Sequence, residues 1–158
     1  FIIQWLDQVN TVQQSDNGEV YNYKDSVYVY RQAGEALSAG RCLYISATTG
    51  KALETDFATA LTLNAPAGVA NVAVALDSWF WCKRKGPREY KPNMTDRLDP
   101  ALLADAGISS GSLIGASDGV DGAFMALVVG TNADRKCGHS RSATSVAAIQ
   151  EYFLNCEG

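Results

Sequence analysis

Residues 66–87, PAGVANVAVALDSWFWCKRKGP, constrain the fold more than any other stretch of the chain. Between 69 and 76 the side chains divide between two faces of a strand. Val69, Asn71, Ala73 and Ala75 fall on one face, and Ala70, Val72, Val74 and Leu76 on the other. Between 79 and 85 the aromatics Trp79, Phe80 and Trp81 precede the basic run Lys83, Arg84 and Lys85. Asp77-Ser78 is short, polar and turn-forming, so the two runs are expected to pair antiparallel. Pro87 has no amide proton to give a ladder, so the second strand should stop there or reach a sheet edge. A period of two in such β-branched and aromatic runs calls for a β core.

The same reading extends along the chain. In 26–31, SVYVYR sets Val27 and Val29 against Tyr28 and Tyr30, a strand by period and content. Ala39-Gly40 reads as a turn, 41–47 as a strand, Thr48-Thr49-Gly50 as a hairpin tip and 51–55 as the return. Residues 57–64 suit a helical turn or a strand. Residues 88–97, with Pro92, read as an extended loop. In 99–107 Asp99 suits a helix cap, Pro100 the first helical position and Gly107 the end, so a short helix is expected. Residues 111–117 and 123–130 read as strands around a turn at 118–122, followed by a loop at 131–142. In 142–154, Val146, Ile149, Phe153 and Leu154 share one helical face, which favours a helix over a final strand. There are no exact repeats and no low-complexity segment.

The expected fold class is therefore mainly β: an antiparallel barrel or sandwich with one or two short helices and an extended N-terminal arm. The arm is residues 1–26 and a single β-rich domain is 27–158. FIIQWL at 1–6 is apolar, and 10–22 is polar around the loop Ser15-Asp16-Asn17-Gly18. Such an arm either covers its own domain or reaches a neighbouring subunit and buries Ile3 and Trp5 there. Each buried side chain of this size contributes roughly 1.5–3 kcal/mol.

A chain of 158 residues is long enough for one domain with a real core. Its hydrophobic fraction of 47% and charged fraction of 19% favour a folded chain over a disordered one. A net charge of −4 gives no basic field for nucleic acid. The dense basic run Lys83, Arg84, Lys85 with Arg88 reads as a solvated strand end, or as a rim that docks on an acidic protein surface. No apolar run reaches the ~18 residues of a membrane span. The chain opens with Phe1, which raises the expectation of a removed initiator. FIIQWL is too short for a secretory-signal core and lacks its basic flank. Cys42, Cys82, Cys137 and Cys156 are scattered, with His139 the sole histidine, so no zinc site is expected. An even count permits two disulfides, but the apolar settings of Cys42 and Cys82 favour free buried thiols and assembly in a reducing cytoplasm.

No catalytic, cofactor or metal constellation emerges. Ser140 and Ser142 follow His139 too closely in sequence to form a triad with it. Cys137 and His139 have a spacing that arises by chance. Gly115, Asp118, Gly119 and Gly122 lack the order of a phosphate loop and suit a β-turn. Asp118 and Asp121 lack the ligand order of a calcium loop. Asp77, Asp96, Asp99 and Asp105 offer no pair for glycoside hydrolysis. Trp79, Phe80 and Trp81 interleaved with Lys83 and Arg84 suit base stacking, but on a strand Phe80 faces away from the two tryptophans, so at least one face packs a core.

The order AGEALSAGRCLYISATTGKALETD, AGVANVAVALDS, WFWCKRKGP, GSLIGASDGVDGAFMALVVG resembles the small phage capsid cement, or head decoration, proteins. The resemblance spans residues 26–130, about two-thirds of the chain, and rests on turn and strand patterns with few fixed polar residues. The chain departs from it in its apolar N-terminal arm, the long insert 88–106 and the extended ending after Cys137. The resemblance implies a β-rich module on the outer surface of an expanded phage head, assembled in the host cytoplasm. Its partners would be the major capsid protein and further copies of itself, commonly as trimers. No cofactor, nucleic acid or membrane is implied. Such a protein needs aromatic anchors and a polar rim. The candidates are Ile3, Trp5, Tyr28, Tyr30, Trp79 and Trp81, with Lys83, Arg84 and Lys85 at the rim. Two rival readings are a tail or fibre component, and a carbohydrate-binding module or small hydrolase using Trp81 or His139.

Overall fold

The computed structural model describes residues 6–58, 65–131, 135–144 and 148–156. It contains twelve short strands: β1 (Val20–Tyr23), β2 (Ser26–Gln32), β3 (Leu43–Ile45), β4 (Ala52–Glu54), β5 (Pro66–Ala70), β6 (Trp79–Pro87), β7 (Leu102–Leu103), β8 (Leu113–Ala116), β9 (Phe124–Ala126), β10 (Lys136–Ser140), β11 (Ala148–Ile149) and β12 (Tyr152–Asn155). Ten of them form one antiparallel sheet, ordered β4-β3-β5-β6-β12-β10-β8-β9, with β2 on the other edge of β6 and β1 outside it. β7 and β11 form a separate pair. The sheet curls into a half-barrel.

β6 is the hub. One edge pairs with β2 from Val27↔Lys85 to Gln32↔Trp79. The other edge takes β5 at Val69↔Lys83 and Ala70↔Cys82, then β12 at Lys85↔Asn155, Gly86↔Leu154 and Pro87↔Phe153. The alternation of the aromatic run is visible in the packing. Phe80 joins Leu37, Leu43, Val74 and Cys82 in one core, while Trp81 joins Leu6, Tyr28, Tyr30 and Leu98 in another. A third core gathers Ile114, Phe124, Ile149, Tyr152 and Leu154.

The second half of the sheet repeats the first. Leu43↔Glu54 and Ile45↔Ala52 recur as Ile114↔Ala126 and Ala116↔Phe124. Leu43↔Gly68 and Tyr44↔Pro66, with a bulge between, recur as Ile114↔Gly138 and Gly115↔Lys136, with the same irregularity. Val69↔Lys83 recurs as His139↔Phe153. The two-bond bridge Leu37↔Val74 recurs as Ile108↔Thr144. Lys85↔Asn155, where β6 meets β12, lies at the centre of this internal two-fold, since each residue is the other's counterpart in the repeat.

Turn chemistry explains which positions agree in sequence. Ser46 Oγ accepts the amides of Thr48 and Thr49, and Ser117 Oγ those of Gly119 and Val120. Gly68 and Gly138 hold φ of 144° and 128°, and a Cβ on either would run into the carbonyl of Lys83 or Phe153. Few other side chains need to match, so the duplication does not show as a sequence repeat.

Several expectations need correction. Residues 99–107 do not form a helix: Leu102 and Leu103 pair with Ile149 and Ala148, and the Asp99 carboxylate is engaged elsewhere. Residues 142–154 are not helical where described, because Tyr152 and Leu154 alternate into the core from a strand. The expected loop at 131–142 contains β10. The strand at 69–76 begins earlier and stops at Ala70, after which Val74 bonds to Leu37 alone. The strand at 123–130 shortens to Phe124–Ala126, leaving Val128 and Val129 exposed. Pro87 ends β6 as expected, yet β6 is central rather than at an edge. Of residues 57–64, 59–64 lie outside the described residues. The described part of the arm, 6–26, folds onto the domain itself. Leu6 is buried, Asn10 exchanges backbone hydrogen bonds with Trp79, and β1 pairs with β2. Of the four cysteines, Cys42 and Cys82 are free and buried as expected, whereas Cys137 and Cys156 form a disulfide because β10 and β12 bring them together.

Candidate functional site

The densest polar chemistry lies beneath the β2–β6 pair. Register places Tyr28 of β2 opposite Lys83 of β6, so the two side chains share a face. The excursion 88–99 then brings two carboxylates to that face. Its ends are held together by Leu98 N donating to the Glu89 carbonyl and by the Tyr90↔Arg97 bridge. Between them Lys91 N donates to the Asp96 carbonyl, and Met94 turns the chain at a φ of 62°. The Arg97 guanidinium sits 4.1 Å from the centre of the Tyr90 ring.

The result is a closed network. Lys83 Nζ lies 2.9 Å from Asp99 Oδ2, with both side chains 0% exposed. Tyr28 donates to Asp99 Oδ1 at 2.7 Å, and Glu89 N–H donates to Asp99 Oδ2 at 2.8 Å. Lys83 Nζ also donates to Ser26 Oγ at 2.8 Å, and Ser26 donates onward to Glu89 Oε2 at 2.9 Å. The ammonium lies 4.9 Å from the centre of the Tyr28 ring. Arg88 Nε fixes the backbone by donating to the Asp99 carbonyl, and Tyr152 donates to that of Pro100.

Burying two charges costs several kcal/mol each, and their attraction offsets this only when the remaining polar atoms are satisfied. Here Tyr28, Ser26 and the Glu89 amide meet that need. Burial lowers the pKa of Lys83, and the charge of Asp99 opposes that shift. Burial, then the Asp99 charge, raises the pKa of Tyr28 and of Tyr152. With its central side chains out of solvent, the network is built to join parts of the chain rather than to receive a ligand.

The sequence-derived candidates are dispersed by this fold. Tyr28, Tyr30, Trp81 and Lys83 are buried, so none is presented on the surface of the chain. Lys83 departs from the expected solvated basic run. Trp79 is half-buried and stacks on Tyr30 at 5.4 Å. Arg84 is half-buried, its Nε donating to the Cys156 carbonyl, and Lys85 is exposed on the internal two-fold. Ile3 and Trp5 lie outside the described residues.

His139 is exposed and stacks on Phe153 at 5.9 Å, while neighbouring Ser140 points inward and donates to the Ser142 carbonyl. They occupy opposite faces of β10. Asp118 pairs with Arg135 at 3.1 Å, and Asp121 accepts the Phe57 amide at 2.9 Å. Among the described residues no group of three or more His, Cys, Asp or Glu side chains is placed to hold a metal ion. No described helix is long and apolar enough to cross a membrane. A cavity of about 250 Å³ lined by Gln8, Asn10, Gln14, Ser15 and Trp81 is below the ~300–1,000 Å³ usual for ligand pockets. Ser26, Glu89 and Asp99 are the polar residues of this network that the sequence reading missed. The aspartate reads as a helix cap, and nothing local marks Lys83 as buried.

No family model matches the chain, and no curated protein matches it.

Proposed function

We propose that the chain is a structural protein of a phage head. In this reading it binds the outer surface of the mature shell, bridges neighbouring capsomers and stabilises that lattice. The major capsid protein and further copies of the chain, as a trimer, are its proposed partners. The observation that carries this reading is the internal two-fold. A duplicated body presents like surfaces twice, and a molecule that engages two neighbouring sites gains effective concentration at the second. Phe57 and Val129 occupy equivalent places after β4 and β9 and are 46% and 84% exposed. Exposed apolar side chains at matched positions suit anchors that become buried on docking. A partner that binds only the expanded lattice stabilises it by mass action.

Co-sedimentation with expanded and unexpanded heads lacking the protein tests this. The expected result is binding to expanded heads alone, weakened about tenfold or more by Val129→Asp, as for a buried anchor worth over 1.4 kcal/mol. Equal binding to both forms, or none, contradicts the proposal.

A further inference from the structure

We propose that Lys83 and Asp99 condense into an intramolecular amide that covalently joins β6 to the 88–99 excursion. The reacting groups already touch: Lys83 Nζ is 2.9 Å from Asp99 Oδ2, and both side chains are fully buried. Both oxygens of the carboxylate carry donors, Tyr28 on Oδ1 and the Glu89 amide on Oδ2. The Tyr28 hydroxyl is placed to stabilise the oxygen that gains charge when the carboxyl carbon is attacked. A proton path is also present, from Lys83 Nζ through Ser26 Oγ to Glu89 Oε2, in steps of 2.8 and 2.9 Å.

The step balances without an outside reagent. Lys83 begins as an ammonium with three protons and Asp99 as a carboxylate. One proton passes through Ser26 to Glu89, freeing the nitrogen lone pair to attack Asp99 Cγ. The C–N bond forms and a C–O bond breaks. The departing oxygen takes two protons, one of them returned by Glu89, and leaves as water. The third proton stays on the amide nitrogen. No electron is exchanged.

Position drives the reaction in both senses. Folding holds amine and carboxyl within contact, so the encounter carries no further entropic cost. A dry interior disfavours the separated charges and favours a neutral amide. Burial likewise lowers the pKa of Lys83, easing the loss of its proton. The excursion that supplies both Glu89 and Asp99 thus has a chemical role.

Intact mass spectrometry of the reduced, denatured full chain reads the outcome directly. The expected mass is one water below that of the sequence. Proteolysis should yield one species joining the peptide of Lys83 to that of Asp99, with no tryptic cleavage after Lys83. Lys83→Arg should have the full sequence mass. Glu89→Gln should condense about 100-fold more slowly or worse, as expected for loss of a positioned proton acceptor. A wild-type chain that stays at full mass on prolonged incubation, and is cut by trypsin after Lys83, overturns the proposal. That readout needs no variant to fold. A mass loss mapping to any other residues overturns it equally.

Discussion

Lys83 shows how far a residue's role depends on what the fold places above it. In sequence it begins a basic run, and two of its neighbours behave accordingly: Lys85 is exposed and Arg84 half-buried. Lys83 itself is enclosed, because β2 brings Tyr28 and the 88–99 excursion brings Asp99 and Glu89. Those partners come from separate parts of the chain, so no local pattern announces them. The enclosed tyrosines predict a pH dependence. Burial raises the pKa of both Tyr28 and Tyr152 above the unfolded value of 10.0. Above that value the unfolded chain sheds protons that the folded chain keeps. The tyrosines' contribution to stability is therefore present below pH 10.0 and declines as pH rises past it, by about 1.4 kcal/mol per pH unit for each tyrosine. Denaturant unfolding on both sides of pH 10.0 should show this fall, to which the buried thiols of Cys42 and Cys82 also contribute, and Tyr28→Phe should make it shallower. An unchanged slope in Tyr28→Phe would remove Tyr28 from the explanation.

At the scale of elements, the sequence was informative wherever alternation and turn chemistry agreed. The strand of 26–31 and the hairpin around Gly50 follow from period and turn residues; β5 and β6 do pair antiparallel, but residues 71–78 join them rather than a tight turn at Asp77-Ser78. The failures have a common cause. Asp99-Pro100 and the apolar spacing of 142–154 satisfy helix rules, but β7 and β11 pair with each other and β12 gains two partners in the main sheet, and these pairings outweigh those preferences. The two bulge glycines test the repeated architecture. Gly68→Ala and Gly138→Ala each combine an unfavourable φ with a collision against backbone, and should each destabilise by roughly 1–3 kcal/mol or more. Gly111 has a φ of 85° but open space around its Cβ position, so Gly111→Ala should cost only about 1 kcal/mol. Unfolding midpoints of the three variants decide the matter. A neutral Gly138→Ala beside a damaging Gly68→Ala would mean that the two bulges do not bear equivalent strain.

For the whole molecule, the internal two-fold is the feature the sequence hid. It survives in Gly40 and Gly111, Ser46 and Ser117, Gly50 and Gly122, and Gly68 and Gly138, where backbone geometry leaves little choice. Ala33 and Ala104, and Ser38 and Ser109, also agree, but many other positions differ. Lys83 of the buried network has Phe153 as its counterpart, which lies under His139 and Arg141 instead. One copy thus carries the polar staple and the other the disulfide Cys137–Cys156. Surface anchors were less legible than the strands: four of the aromatic and basic candidates turned inward, while Phe57 and Val129 gain significance only through their equivalence. The proposed role on a phage head is tested most directly by quantitative mass spectrometry of purified virions, counting this chain against the major capsid protein. The account predicts a ratio near one or a simple fraction of it. A handful of copies per particle would assign the chain to the tail or a vertex, and absence from the particle would contradict the account outright.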